Sequence, residues 1–199
     1  MGSPPIGVVL AGGHGRRLGR PKATVELSGR PLISYPLAAL AEVLDEVVVV
    51  AKEATELPSL AGTTVWIERE PRQHPLVGLL EALALASGRA VVVCALDLPL
   101  VTPELIRRLA WEPSEAAAVV AGYRGALQPL LGRYDARAVG PLRAAGFGVP
   151  LREAVMALSP RLLEVDDPEL LLNVNTAPDL ERAAAALSRR SRTSSAPAE

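Results

Sequence analysis

The sequence is poor in cysteine and in aromatic residues, and each shortage limits what the protein can be. Its single cysteine, Cys94, lies inside an apolar run, so a disulfide framework and a cysteine-based zinc site are both excluded. Aromatic residues make up 3% of the 199 residues, against 49% hydrophobic residues. The core must therefore be built from Leu, Val and Ala, and the chain is long enough to form it as one medium-sized domain.

The sequence also lacks a dominant charge and a long hydrophobic run. It has 21 Lys and Arg against 22 Asp and Glu, a net charge of −1, so it has no basic field for nucleic acid, and nucleic acid is not an expected partner. No apolar run reaches ~18 residues, and no signal-peptide core is present at the N-terminus. We therefore expect a cytoplasmic protein that does not associate with membranes.

Lysine is scarce as well, since Lys22 and Lys52 are the chain's only lysines. In a sequence so rich in arginine, a lysine at position 22 suggests that a compact ammonium group is needed there. Lys52 has no glycines around it, and we expect it to be an ordinary surface residue.

The stretch from Val8 to Lys22 has the pattern of a phosphate-binding loop. An apolar run typical of a strand, residues 6–10, breaks into a loop rich in glycine and arginine that Lys22 closes. Glycine amides in such a loop form a concave nest for anions, and Arg and Lys neutralise the bound charge. The ligand predicted is a polyphosphate. The loop residues assigned to it are Gly12, Gly13, Gly15, Arg16, Arg17 and Lys22.

This loop matches neither of two better-known phosphate loops. A P-loop requires Gly-Lys-Ser/Thr at its end, whereas Gly19 is followed by Arg20 and Pro21. A Rossmann fingerprint requires a helix to begin at the loop, whereas Pro21 disfavours the helical conformation of the residue before it.

Strand-like and helix-like segments alternate through the first half of the chain. This alternation predicts an α/β fold of three layers with a mostly parallel sheet. Residues 117–123 and 126–134, around Arg124-Gly125, predict an antiparallel strand pair added to that sheet. We expect a helix to begin at Pro31, a single domain over residues 1–187, and a disordered tail rich in Ser, Arg and Pro over residues 188–199.

Asp97 directly follows a buried strand, at the edge where open α/β sheets bind ligands. The glycine-rich loop leaves its own strand at the same edge, so the two should face each other. A carboxylate opposite a polyphosphate is a natural Mg²⁺ ligand, although Asp97 could also be a turn residue before Pro99.

Four further residues leave two interpretations open. Glu68 follows a short strand and could contact a base or ribose, or be solvated. Gly78 lies in the first turn of a helix, where glycine suggests close approach of a ligand or of backbone. Asn173 and Asn175 alternate along an extended segment, and their amides could bind a pterin or sugar edge or cap the last helix.

Five motifs together resemble those of the molybdenum cofactor guanylyltransferases (MobA-type) over residues 6–187. In order they read LAGGHGRRLGRPK, ELSGRPLI, HPLVGLLEAL, VVVCALDLP and NVNTAPDL. The resemblance implies a Rossmann-like fold of the GT-A (nucleotide-diphospho-sugar transferase) type. Two departures are that Ala51-Lys52 stands where the family often has Asn, and Glu68 where it usually has Asp.

The resemblance also implies roles for individual residues. Leu10, Ala11 and Gly12 would contact the guanine nucleotide, Lys22 its phosphates, and Asp97 magnesium. Positions implicated in binding molybdopterin match Arg17, Gly78, Asn173 and Asn175.

The reaction implied is transfer of GMP from GTP to the terminal phosphate of molybdopterin (the molybdenum cofactor), with release of pyrophosphate. Protein partners would be molybdenum-inserting enzymes or chaperones of molybdoenzymes. Four alternatives stay open: a CTP-using pterin cytidylyltransferase, a small sugar-1-phosphate nucleotidyltransferase, an NAD(P)-dependent oxidoreductase, and a nucleotide-binding module without catalysis.

Overall fold

The structure is a computed structural model that describes residues 3–12, 18–60 and 62–194. These ranges contain nine strands and six α-helices. The strands are β1 (Ile6–Leu10), β2 (Glu26–Leu27), β3 (Arg30–Pro31), β4 (Val47–Ala51), β5 (Thr64–Ile67), β6 (Val91–Ala95), β7 (Ala118–Tyr123), β8 (Ala126–Tyr134) and β9 (Arg161–Glu164). The helices are α1 (Ser34–Ala41), α2 (Pro75–Leu85), α3 (Pro103–Trp111), α4 (Val139–Ala145), α5 (Leu151–Met156) and α6 (Ala177–Ser194).

Seven of the strands form one sheet in the order β5-β4-β1-β6-β8-β7-β9. Strand β8 runs antiparallel to both of its neighbours, while β5, β4, β1 and β6 are parallel to one another and β7 is parallel to β9. The continuous apolar runs of β1, β4 and β6 are typical of strands covered on both faces. The prediction of a mostly parallel sheet with an antiparallel addition is confirmed.

Helices cover both faces of this sheet and complete the three layers. Successive side chains of β1 point to opposite faces: Val9 joins a core with α1, α3 and α6, while Val8 and Leu10 join a second core with α2, α4 and α5. Within the described ranges, no helix is both long and apolar enough to cross a membrane.

The predicted antiparallel pair forms a hairpin between β7 and β8. Its turn places Arg124 at φ 49° and Gly125 at φ 77°, the left-handed conformation that two-residue hairpin turns require. Both backbone N–H groups donate to the carboxylate of Glu164 in β9, at 3.0 Å and 2.9 Å. The turn is therefore tied to the edge strand of the sheet.

The helix expected to begin at Pro31 begins instead at Ser34. Arg30 and Pro31 form β3, which pairs antiparallel with β2 across a turn at Ser28-Gly29. The prediction was wrong because a proline that can begin a helix can also lie in a short edge strand. There its missing N–H group removes no hydrogen bond between strands.

The C-terminal tail also differs from the prediction of disorder from residue 188 onward. Helix α6 continues to Ser194, whereas residues 195–199 lie outside the described ranges. Its arginines have partners in the body of the domain: Arg189 pairs with Glu169 at 2.6 Å, and Arg190 pairs with Asp167 at 3.1 Å and donates to the Leu100 carbonyl at 2.7 Å. The composition of this segment did not reveal these contacts.

Candidate active site

Four parallel strands, β5, β4, β1 and β6, end at the same edge of the sheet. Backbone hydrogen bonds continue just past their ends, from Ala11 N–H to the Val50 carbonyl (2.9 Å), from Glu68 N–H to the Ala51 carbonyl (2.8 Å) and from Leu96 N–H to the Leu10 carbonyl (3.3 Å). The segments that leave the strands are therefore held in register. The polar side chains that they carry to this edge are Lys52, Glu68 and Asp97.

A cavity of about 500 Å³ opens at this edge. Its walls include Leu10, Ala11, Gly12, Lys22, Lys52, Glu68, Gly78 and Asp97. Because Asp97 follows β6 and Glu68 follows β5, three strand spacings, about 14 Å, separate their strand ends. That span suits a nucleotide with its phosphates near Asp97 and its base near Glu68.

Lys22 joins three distant parts of the chain at one end of the cavity. It lies in a single 3₁₀ turn, Lys22–Thr24, and is only 9% exposed. Its Nζ lies 2.6 Å from Oδ2 of Asp97 and 2.6 Å from Oδ1 of Asn175, two oxygens to which it donates hydrogen bonds. The structure therefore brings together the lysine of the loop and the acid after β6, as the sequence predicted.

Asp97 is held through its backbone as well as its side chain. Its carbonyl accepts a hydrogen bond from Val174 N–H at 2.9 Å, which fixes the segment before α6 beside the end of β6. Asn175, the next residue, is thereby placed near Lys22. Asn173 is placed differently, since its Nδ2 donates to the Leu171 carbonyl at 3.3 Å. The two asparagine side chains therefore have different partners, and the role suggested for them in binding a pterin or sugar edge stays a prediction.

The start of α6 is fixed by a capping box that Thr176 and Asp179 form. The Asp179 carboxylate accepts from the Thr176 hydroxyl (2.8 Å) and from the N–H groups of Thr176 (3.0 Å) and Asn175 (3.1 Å). These hydrogen bonds lower the pKa of Asp179. The bond from the Thr176 hydroxyl has the largest effect, and the bond from the backbone N–H of Asn175 comes next. The capping box therefore also fixes the backbone of Asn175.

Lys52 is not the ordinary surface residue that we expected. Its Nζ forms an ion pair with the Glu68 carboxylate and donates to the carbonyls of Glu70 (2.5 Å) and Arg72 (3.0 Å). Lys52 and Lys22, the chain's only lysines, therefore both line the cavity. Its position directly after a parallel strand was the signal in the sequence, because such positions lie at the ligand-binding edge whether or not glycines surround them.

Glu68 and Gly78 are packed against each other. A Cβ on Gly78 would lie 3.1 Å from Oε2 of Glu68 and 3.4 Å from Cδ2 of Leu10. The three nearest neighbours are therefore side-chain atoms and not the backbone of one alternative, while close approach of a ligand stays a prediction. The Glu68 side chain is 10% exposed, so it is not the solvated surface acid of the alternative interpretation.

Four of the predicted loop residues cannot be placed in this site. Gly13, Gly15, Arg16 and Arg17 lie outside the described ranges. In the part of the chain that is described, no group of three or more His, Cys, Asp and Glu side chains is arranged to hold a metal. The Lys22 ammonium brings two side-chain oxygens together, Oδ2 of Asp97 and Oδ1 of Asn175.

Comparison with known proteins shows the family to which the chain belongs. The model of the MobA-like NTP transferase domain matches residues 7–153, which carry every strand of the sheet except β9. The chain belongs to the MobA-like NTP transferase family. Like other members of that family it is a nucleotidyltransferase, and the family generally uses a divalent metal ion.

Individual relatives of this MobA-like chain carry more specific names. It is 34% identical to a probable molybdenum cofactor guanylyltransferase of Chloroflexus aggregans, over 88% of this chain and 91% of that protein. It is 32% identical to a molybdenum cofactor guanylyltransferase of Cereibacter sphaeroides, over 89% and 94%. The structure resembles molybdopterin-guanine dinucleotide biosynthesis protein A of Archaeoglobus fulgidus with a TM-score of 0.76, at 26% identity over 92% and 98% of the two chains. The family and the nucleotidyltransferase class predicted from the sequence are confirmed.

Proposed function

We propose that this chain transfers GMP from GTP to the terminal phosphate of molybdopterin, releasing pyrophosphate. The observation that carries the proposal is the convergence of Lys22, Asp97 and Asn175 at one end of a cavity whose other end holds Glu68. The names of the relatives point to a guanylyl group and to molybdopterin, from which we infer GTP and molybdopterin as the substrates.

In this reaction a phosphate oxygen of molybdopterin attacks the α-phosphorus of GTP. The bond from the α-phosphorus to the bridging oxygen breaks, and pyrophosphate leaves with the electron pair. The attacking phosphomonoester is already anionic near neutral pH, so the reaction needs no general base. The protein's task is to align two polyanions and offset their repulsion.

Lys22 is the described residue best placed for that task. Its ammonium is buried beside the polar end of the cavity, where one positive charge acts on phosphates with little screening by water. Leu10, Ala11 and Gly12 line the same cavity. Arg16, Arg17, Gly13 and Gly15 remain assigned to the triphosphate by the sequence pattern.

The residues present fit a Mg²⁺ ion as the divalent metal. The Asp97 carboxylate and the Asn175 amide present two hard oxygens to one point that a cation already occupies, the Lys22 ammonium. Mg²⁺ in nucleotide sites takes one or two protein oxygens and completes its shell with phosphates and water. Asp97 and Asn175 would hold the ion, and a bound ion would polarise the phosphate oxygens.

At the other end of the cavity, Glu68 suits the guanine base. A carboxylate accepts two hydrogen bonds side by side, and guanine presents two neighbouring donors, N1–H and the 2-amino group. Adenine and cytosine each present an unprotonated ring nitrogen there, which a carboxylate repels. Asn173 and Gly78 stay assigned to the molybdopterin side by resemblance, with Gly78 also shaping the wall beside Glu68.

A panel of nucleoside triphosphates tests the proposal. Pyrophosphate release is measured with GTP, CTP and ATP, each with molybdopterin, with a sugar 1-phosphate or with no acceptor, and with and without Mg²⁺. Equilibrium binding of GTP is measured alongside. We expect release with GTP when molybdopterin and Mg²⁺ are both present. Release with CTP would instead indicate a cytidylyltransferase. Release with a sugar 1-phosphate as acceptor would indicate a sugar nucleotidyltransferase, and GTP binding without release would indicate a non-catalytic module.

A further inference from the structure

The contacts of Lys52 use all of its hydrogen-bonding capacity. A lysine ammonium has three N–H donors and no acceptor. Lys52 has three partners, namely the Glu68 carboxylate and the backbone carbonyls of Glu70 and Arg72. No donor is left over for a ligand phosphate, which separates Lys52 from Lys22 even though both line the cavity.

The three partners belong to one short segment, and Lys52 holds that segment against the end of β4. Glu68 follows β5 directly, and Glu70 and Arg72 lie between it and α2. The Lys52 side chain is 28% exposed and that of Glu68 is 10% exposed, so the pair is largely shielded from water. A shielded charge pair holds its geometry more firmly than an exposed one.

The two oxygens of Glu68 lie beside different parts of the protein. Oε1 is paired with the Lys52 ammonium, and Oε2 lies beside Gly78 in the first turn of α2. Each carboxylate oxygen can accept more than one hydrogen bond, so both stay able to accept from a ligand. A carboxylate fixed in this way presents its two oxygens in one orientation.

We propose that Lys52 is a positioning residue that orients the Glu68 carboxylate for recognition of guanine. The inference rests on the proposed function, because it assumes that the base binds at Glu68. Lys52 acts through Glu68 and does not touch the nucleotide. Its removal should therefore affect the choice of base more than the rate of the chemical step.

Inosine triphosphate is the probe that isolates this effect, because it keeps N1–H and lacks the 2-amino group of GTP. A fixed carboxylate gains from both donors of GTP and from one donor of ITP. The variant Lys52→Gln keeps two N–H donors for the carbonyls of Glu70 and Arg72 and removes the charge that holds Glu68. We expect it to reduce the preference for GTP over ITP in kcat/KM by roughly tenfold, mainly through a higher KM for GTP.

Two further variants separate positioning from general stability. Lys52→Arg retains the charge in a planar fork and should recover part of the preference. Arg89→Gln is the matched control, at a position just before β6 and away from the cavity. The Arg89 side chain is also 28% exposed, forms an ion pair with the Glu46 carboxylate and donates to the Pro4 carbonyl. We expect it to leave the GTP-to-ITP preference unchanged.

The outcomes distinguish this inference from the function on which it rests. A Lys52→Gln protein that keeps the wild-type preference, or that loses the same factor with GTP and with ITP, would overturn the positioning role alone. Wild-type protein that releases no pyrophosphate from GTP in the presence of molybdopterin would refute the proposed function itself. A loss of preference in Lys52→Gln, partly restored in Lys52→Arg and absent in Arg89→Gln, would support the positioning role.

Discussion

The ammonium of Lys22 lies 2.6 Å from a carboxylate oxygen of Asp97, although 75 positions separate the two residues in the sequence. Their side chains are 10% and 17% exposed, so this is a largely buried ion pair. It closes the loop after β1 onto the turn after β6. The pair therefore lies at the carboxyl edge of the parallel strands, where open α/β sheets bind ligands.

Replacing Lys22 should weaken nucleotide binding. In Lys22→Met the loss of the one buried charge that we propose faces the phosphates should raise the Kd for GTP by roughly tenfold or more. Equilibrium binding of a fluorescent GTP analogue measures the change. Arg107→Ala, which removes an exposed cation of α3, is the control and should bind GTP as the wild type does. An unchanged Kd in Lys22→Met would count against the phosphate role.

Gly78→Ala should impair use of GTP through its contact with Glu68. The new methyl group would lie 3.1 Å from Oε2, and the ion pair with Lys52 prevents the carboxylate from moving aside freely. We expect a higher KM for GTP with little loss of folding stability. Gly140→Ala in α4, where an added Cβ meets nothing within 4 Å, is the matched control; it should gain up to about 1 kcal/mol of stability and leave KM unchanged. Equal KM values in the two variants would contradict the packing argument.

Cys94 should be inert in the native protein. It is fully buried in β6, and burial, with a smaller effect of the nearby Asp97 charge, raises the pKa of its thiol, so the reactive thiolate is suppressed. A colorimetric thiol reagent should therefore react with one equivalent of thiol after unfolding in guanidinium and with almost none before. Rapid labelling of the folded protein would show that β6 opens readily.

The capping box of α6 should make stability depend on pH. The pKa of Asp179 is lowered below its ordinary value of 3.8, so its contribution is present above that value and is lost as the pH falls through the lowered pKa. Asp179→Ala should cost about 1 kcal/mol at pH 7 and progressively less below pH 4, as measured by urea unfolding. Asp166→Ala, at an exposed position, serves as the control. A cost that stays the same at pH 3 would contradict this account.

The sheet was predictable because short, local sequence patterns mark most of its strands. Continuous apolar runs marked β1, β4 and β6, and the turn at Arg124-Gly125 marked the hairpin added to the sheet. Asp97 was predictable for a related reason, since its position after a buried strand already places it at the ligand-binding edge.

What sequence reasoning missed depends on contacts between distant segments. Lys52 looked like a surface residue until Glu68 and the carbonyls that follow it were placed around it. The arginines after residue 188 suggested disorder because their partners, Asp167 and Glu169, lie on another segment. The spacing of Asn173 and Asn175 predicts that both lie on one side of an extended segment. Their different hydrogen-bond partners, Lys22 for Asn175 and the Leu171 carbonyl for Asn173, depend on the fold.

The most direct test of the site is the transfer of label from [α-³²P]GTP to molybdopterin by the wild type and by Asp97→Asn. The substitution keeps the shape and an oxygen acceptor for Lys22 but removes the charge that would hold Mg²⁺. Equal thermal unfolding of the two proteins is the control for folding. We predict Mg²⁺-dependent transfer by the wild type and transfer slower by roughly 100-fold or more in Asp97→Asn. Undiminished transfer by Asp97→Asn would contradict the account of the site.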